Sequence, residues 1–171
     1  ATAVYRRYVA LGDSLTEGLG DDRFEQDRIF AGWADRFAVL LNEDAMAAGE
    51  DFLYANLAVR SRNSSEILSE QVHEALQLEP DLVTIMAGAN DLWRPRKSWD
   101  LVRAQFTEAV RLLKEAGITV VLANCINPVH HWSFRGGALR AKELTKLIEE
   151  VASEQNVFVV DVYRSPTLRR L

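Results

Sequence analysis

Two stretches of this chain leave little choice of fold, residues 82–86 (Leu-Val-Thr-Ile-Met) and 118–123 (Ile-Thr-Val-Val-Leu-Ala). Both are nearly continuous in apolar residues instead of alternating, so each reads as a strand buried on both faces. A sheet with two buried faces needs helices on each side. Four apolar stripes at helical spacing supply them: Phe30, Trp33, Ala34, Phe37, Ala38 and Leu41, then Ile67, Leu68, Val72, Ala75 and Leu76, then Val102, Phe106, Ala109, Val110 and Leu113, and finally Leu144, Leu147, Ile148 and Val151. Shorter strand-like runs at 8–11, 52–56 and 157–160 bring the strand count to five. Strands and helices alternate, which predicts an α/β fold: a five-stranded parallel sheet in a three-layer α/β/α arrangement.

Local signals set the boundaries. Asn63 and Glu66 have capping-box spacing, so a helix is expected to begin there, and Pro80 follows it. Ser98 is placed as the cap of the next helix, which Gly117 ends after Lys114 in its last turn. Residues 21–27 and 127–137 read as loops, the second rich in Trp, His, Arg and Gly. At 171 residues the chain suits a single domain, 1–171, with a sizeable core, and 48% hydrophobic residues place it among globular proteins. The net charge of −5 argues against nucleic-acid binding. No apolar run approaches the roughly 20 residues of a membrane span. The single cysteine, Cys125, cannot form an internal disulfide and reads as a small buried hydrophobe. The first residues lack a signal peptide's apolar core, and a cytoplasmic location is expected, although no initiator Met is present to mark the natural start.

The chemistry gathers where strand-like runs give way to turn residues. The first such place is Tyr8-Val9-Ala10-Leu11-Gly12-Asp13-Ser14-Leu15-Thr16-Glu17-Gly18, where a serine can stand at the carboxyl end of a strand with its hydroxyl exposed. The second is Asn56-Leu57-Ala58-Val59-Arg60-Ser61 and the third is Gly88-Ala89-Asn90-Asp91. No metal or cofactor site is expected. Cys125 and the histidines lack zinc-ligand spacing, and neither a dinucleotide fingerprint nor a phosphate loop occurs. Gly12 to Thr16 also fails the Gly-x-Ser-x-Gly elbow of α/β-hydrolases.

Taken together, Gly-Asp-Ser-Leu at 12–15, Asn-Leu-Ala-Val-Arg at 56–60 and Gly-x-Asn-Asp at 88–91 resemble the first three sequence blocks of the SGNH hydrolases, also called the GDSL lipase/esterase family. The resemblance covers essentially the whole chain. It implies a flavodoxin-like strand order and a serine ester hydrolase that works through an acyl-enzyme on a small-molecule ester. Ser14 would be the nucleophile. The oxyanion donors would be the backbone N–H of Ser14, the backbone N–H at Ser61 and the side-chain amide of Asn90. Asp13, Gly88 and His130 are expected on the substrate-binding side of the site, outside the triad. Asn56 and Arg60 are expected to be structural.

Two departures stand out. Ser61 occupies the position where the family usually has Gly, and serine lacks glycine's freedom at positive φ. Further, the family's late Asp-x-x-His block occurs nowhere in this sequence. Of the three histidines, His73 lies beside a helical stripe and is expected to face solvent, while His130 and His131 lie in the 127–137 loop without an orienting carboxylate at useful spacing. The expectation is therefore a hydrolase domain lacking its C-terminal part, with the acid and base beyond Leu171 and little activity as it stands. The rival expectation is a non-catalytic binding module on the same scaffold.

Overall fold

The computed structural model describes residues 3–18, 32–94, 98–128 and 135–165. The strands are β1 (Arg7–Leu11), β2 (Leu53–Asn56), β3 (Leu82–Ile85), β4 (Thr119–Ala123) and β5 (Phe158–Val160). They form one parallel sheet in the order β2-β1-β3-β4-β5. This is the flavodoxin-like order, and its switch point lies between β1 and β3, the place where open α/β sheets bind their ligands. The helices are α1 (Ser14–Glu17), α2 (Trp33–Ala47), α3 (Ser64–Glu66), α4 (Val72–Gln77), α5 (Trp99–Glu115) and α6 (Arg135–Gln155). A π-helical turn, Ile67–Gln71, joins α3 to α4, and a 3₁₀ turn, Ala89–Trp93, follows β3. The result is the expected three-layer α/β/α fold.

Side-chain alternation along β1 shows why two layers of helices are needed. Val9 and Leu11 join the larger core, with Val83, Ile85, Val120 and Leu122 from the neighbouring strands and Ile67, Phe106, Leu113, Leu144 and Ile148 from the helices. Tyr8 and Ala10 face the other way, against Ala34, Ala38 and Leu41 of α2. Tyr8 stacks on Tyr54 and meets Phe37 edge-on, with ring centroids 5.2 and 5.3 Å apart. Its hydroxyl shares a 2.7 Å hydrogen bond with Thr84, so this buried pair of hydroxyls is satisfied.

The capping box at Asn63 forms as read: Asn63 N–H donates to Glu66 and Glu66 N–H donates back to Asn63 Oδ1, at 2.8 and 3.1 Å. The inward stripe of α5 is buried throughout. Two local readings need correction. Ser98 occupies the cap position of α5, but its side chain makes no capping bond. The 127–137 loop ends earlier than expected, because α6 begins at Arg135 and takes in Gly136 and Gly137. Glycine costs about 1 kcal/mol in a helix, and the burial of Ala141, Leu144, Leu147 and Ile148 further along α6 outweighs it. Among the described residues no helix is long and apolar enough to cross a membrane. The 21–27 loop, His130 and His131 lie outside the described residues.

Candidate active site

The register of the sheet brings the ends of three strands level. Ala10 of β1 lies opposite Asn56 of β2 and Thr84 of β3. The ladder runs on past the strands, with Leu57 N–H donating to Ala10 at 2.9 Å and Met86 N–H to Leu11 at 3.1 Å. The three motif turns therefore open side by side at the switch point.

The first turn is compact. Asp13 caps α1 by accepting from Leu15 N–H at 3.1 Å, and its backbone carbonyl accepts from Glu17 N–H at 2.9 Å. Gly18 closes α1 in the left-handed region, at φ 91°. Ser14 is the first residue of α1 and is half-buried. Its own N–H has no acceptor among the described residues, which is the usual condition of a first-turn amide. Gly12 leaves no room for a larger residue: a Cβ there would sit 2.3 Å from Thr16 Oγ1 and 3.1 Å from the Met86 carbonyl.

The second loop leans on the first. Val59 N–H donates to the Gly12 carbonyl at 3.2 Å, and Asn56 Nδ2 donates to the Thr16 carbonyl at 2.8 Å. Asn56 Oδ1 also accepts from Ala58 N–H at 3.0 Å, and Arg60 pairs with Glu17 through its backbone N–H and its guanidinium, at 2.8 and 3.1 Å. Asn56 and Arg60 thus do structural work, as expected. Ser61 follows, exposed and at φ 64°, squarely in the left-handed region. The backbone here adopts the shape a glycine would favour, and serine carries a strain of about 1 kcal/mol to do so.

The third turn ties the first two together. Gly88 stands at φ 107°, where a Cβ would strike Leu144 at 2.6 Å. Asn90 Nδ2 donates to the Arg62 carbonyl at 2.9 Å and makes a longer contact, 3.4 Å, with Asp13 Oδ2. Asp91 is fully buried and accepts from Ser64 N–H at 2.8 Å. Burial, aided by the negative charge of Asp91, pushes the Asp13 carboxyl up to about 6. Burial also pushes the Cys125 thiol up to about 12, which suits the inert hydrophobe read from the sequence.

The structure therefore brings Asp13, Ser14, Gly88 and Asn90 together, with Ser61 one residue from the carbonyl that holds Asn90. Among the described residues no imidazole is hydrogen-bonded to Ser14, and His73 is exposed on α4. His130 lies outside the described residues. One participant escaped the sequence reading. Gln71, 5% exposed, accepts from Gly12 N–H at 2.9 Å and donates through Nε2 to the Gly12 carbonyl at 3.0 Å. Its signal was available: it sits four residues after Ile67, inside an apolar stripe, and a polar group on a buried face needs a partner.

Comparison with known proteins bears on family and fold. The model of the GDSL-like lipase/acylhydrolase family matches residues 10–170. A catalytic mutant of Axe2, an acetylxylan esterase from Geobacillus stearothermophilus, superposes with a TM-score of 0.77 at 18% identity, covering 97% of this chain and 81% of its own. A mutant of the esterase AlinE4 gives 0.69 at 21% identity, over 94% and 77% of the two chains. TesA gives 0.66 at 18% identity, over 90% and 77%. At these identities the structural likeness is one of fold. No match is found among curated proteins. With the family model spanning nearly the whole sequence and the three motif turns meeting at the switch point, the chain belongs to the GDSL-like lipase/acylhydrolase family.

Proposed function

We propose that this protein hydrolyses small carboxylic esters through an acyl-enzyme on Ser14. The observation that carries the reading is the convergence of Ser14, the Ser61–Arg62 backbone and the Asn90 amide at the ends of β1, β2 and β3. Ser14 Oγ attacks the ester carbonyl carbon as its proton passes to a general base, and the carbonyl π electrons move onto oxygen. The oxyanion accepts from the N–H groups of Ser14 and Ser61 and from Asn90 Nδ2. Asn90 has two such hydrogens. One holds the Arg62 carbonyl, and the other, now in the long contact to Asp13, is the one offered to the oxyanion. Collapse breaks the ester C–O bond, the alcohol leaves with the proton from the base, and water then repeats the sequence on the acyl-enzyme.

The base and its carboxylate are assigned to residues outside Ala1–Leu171, because the sequence holds no Asp-x-x-His. The 171-residue chain alone should then hydrolyse p-nitrophenyl acetate about 10²- to 10⁴-fold more slowly than the product of its complete natural reading frame, the usual contribution of general-base catalysis. Ser14→Ala should silence the complete protein. Robust turnover by the 171-residue chain that disappears in His130→Ala or His131→Ala would move the base to that loop. If neither protein turns over and Ser14→Ala changes nothing, the binding-module reading replaces this one.

A further inference from the structure

Gly12 stands where β1 runs out of partners, two residues before Ser14 and buried. Its carbonyl accepts from Val59 N–H, but its own N–H meets no backbone acceptor among the described residues. The Gln71 carboxamide fills that role. It accepts from Gly12 N–H at 2.9 Å and donates to the Gly12 carbonyl at 3.0 Å, across 59 positions of sequence. A side-chain amide carries the same acceptor and donor pair as a peptide, so Gln71 stands in for one residue of an adjoining strand. Gln71 is the last residue of the π-helical turn Ile67–Gln71. Such turns often mark functional sites. The same helical segment begins at the Asn63 cap, directly after Ser61 and Arg62. One end of it thus bears the loop whose carbonyl holds Asn90, and the other grips the peptide that leads into Ser14.

We propose that Gln71 is a positioning residue. By clamping both polar groups of Gly12 it sets the spacing between the Ser14 nucleophile and the Ser61–Asn90 side of the oxyanion site. It touches no reacting atom and acts only through Gly12. The proposal rests on the ester-hydrolase reading above and adds to it a residue whose loss should affect the chemical step more than substrate binding.

The test uses the complete natural protein with p-nitrophenyl acetate. Gln71→Leu removes both bonds at similar size. It should lower kcat by about 10- to 100-fold, the scale of a small misplacement of reacting groups, while KM stays within about twofold. The measurement is made at temperatures where circular dichroism shows the variant fully folded. Gln71→Glu is the sharper probe and decides the matter alone if Gln71→Leu does not fold. A protonated carboxyl can accept from Gly12 N–H and donate to the Gly12 carbonyl as the amide does, whereas an ionised one cannot donate. The kcat of Gln71→Glu relative to wild type should therefore rise as pH falls. A carboxyl at position 71 couples to the neighbouring Asp13, so the same ratio is also taken in an Asp13→Asn background, where the rise should persist. A pH-independent ratio, or a folded Gln71→Leu with wild-type kcat, overturns the proposal while leaving the esterase reading intact. A wild-type protein that fails to turn over, or a Ser14→Ala variant that still does, overturns the esterase reading and the clamp's role with it.

Discussion

The turn after β1 and the loop after β2 lie side by side, and they are held by different physics. The Gly12–Ser14 turn is buried and bonded from several directions: Gln71 and Val59 on Gly12, Leu15 and Asn90 on Asp13, and Thr16 packed where a Gly12 side chain would go. The Val59–Arg62 loop is mostly exposed. It is fastened by the Arg60–Glu17 and Arg62–Glu66 pairs at the surface and carries a non-glycine residue in the left-handed region. Exposed ion pairs contribute about 0–1 kcal/mol each, whereas leaving a buried amide unpaired costs about 1–3 kcal/mol. The proposed nucleophile, Ser14, lies on the firmly held side, and Ser61, which stands where the resembled family usually has glycine, lies on the loosely held one.

Four experiments on the complete natural protein would sharpen or break that contrast. The largest effect should come from the buried turn: Ser14→Ala is expected to reduce kcat/KM for p-nitrophenyl acetate by roughly 10⁴-fold or more, as loss of a serine nucleophile does elsewhere. Retention of more than a few per cent of wild-type turnover would remove Ser14 from the chemistry. Next, Asn90→Ala should lower kcat by about 10² to 10³-fold, with KM changing less, because the oxyanion exists mainly in the transition state. An unchanged kcat in a folded variant would mean that Asn90 only braces Arg62 and Asp13.

The third experiment reads the burial of Asp13 directly. Its carboxyl titrates at about 6 in the folded chain, against about 3.9 when unfolded. Folding then favours the protonated form, so this contribution to stability is fully present below the unfolded value and is lost as pH rises through about 6. Asp13→Asn removes the titration. Between pH 4 and 7 wild type should lose up to about 3 kcal/mol relative to the variant, measured by urea melts at matched pH. A difference that stays constant with pH would show that Asp13 is solvated or paired more fully than its surroundings suggest.

The smallest effect belongs to the exposed loop. Ser61→Gly should raise kcat/KM for p-nitrophenyl esters with bulky acyl groups more than for the acetate, because the proposed oxyanion role of the Ser61 N–H brings its side chain close to the reacting carbonyl. Stability should move by less than about 1 kcal/mol, since relief of left-handed strain and added unfolded-chain entropy oppose each other. A uniform offset across the ester series, or none, would mean that the Ser61 side chain points away from substrate.

Much of this was legible before any coordinates. Residues 82–86 and 118–123 announced central strands by their continuous hydrophobicity, and the Asn63–Glu66 spacing announced a helix start, because both signals are local. At Ser61 the only hint of a positive φ was that the resembled family usually has glycine there. Gln71 was passed over because helical periodicity registers apolar residues and skips a polar one among them. The early start of α6 was hidden by Gly136 and Gly137, whose local preference is for loops and which burial further along the helix overrides.

The sequence by itself determined the α/β class, the alternation of layers and the three motifs, since each follows from spacing along the chain and the chemistry of single side chains. Tertiary structure alone decided how those motifs act on one another. That Arg62 presents its carbonyl to Asn90, that Asp13 and Asp91 share one buried region, and that Gln71 closes the ladder beside Gly12 all depend on sheet register and on contacts dozens of residues apart. Such pairings arise when helices and strands pack and leave buried polar groups that must find partners across the fold.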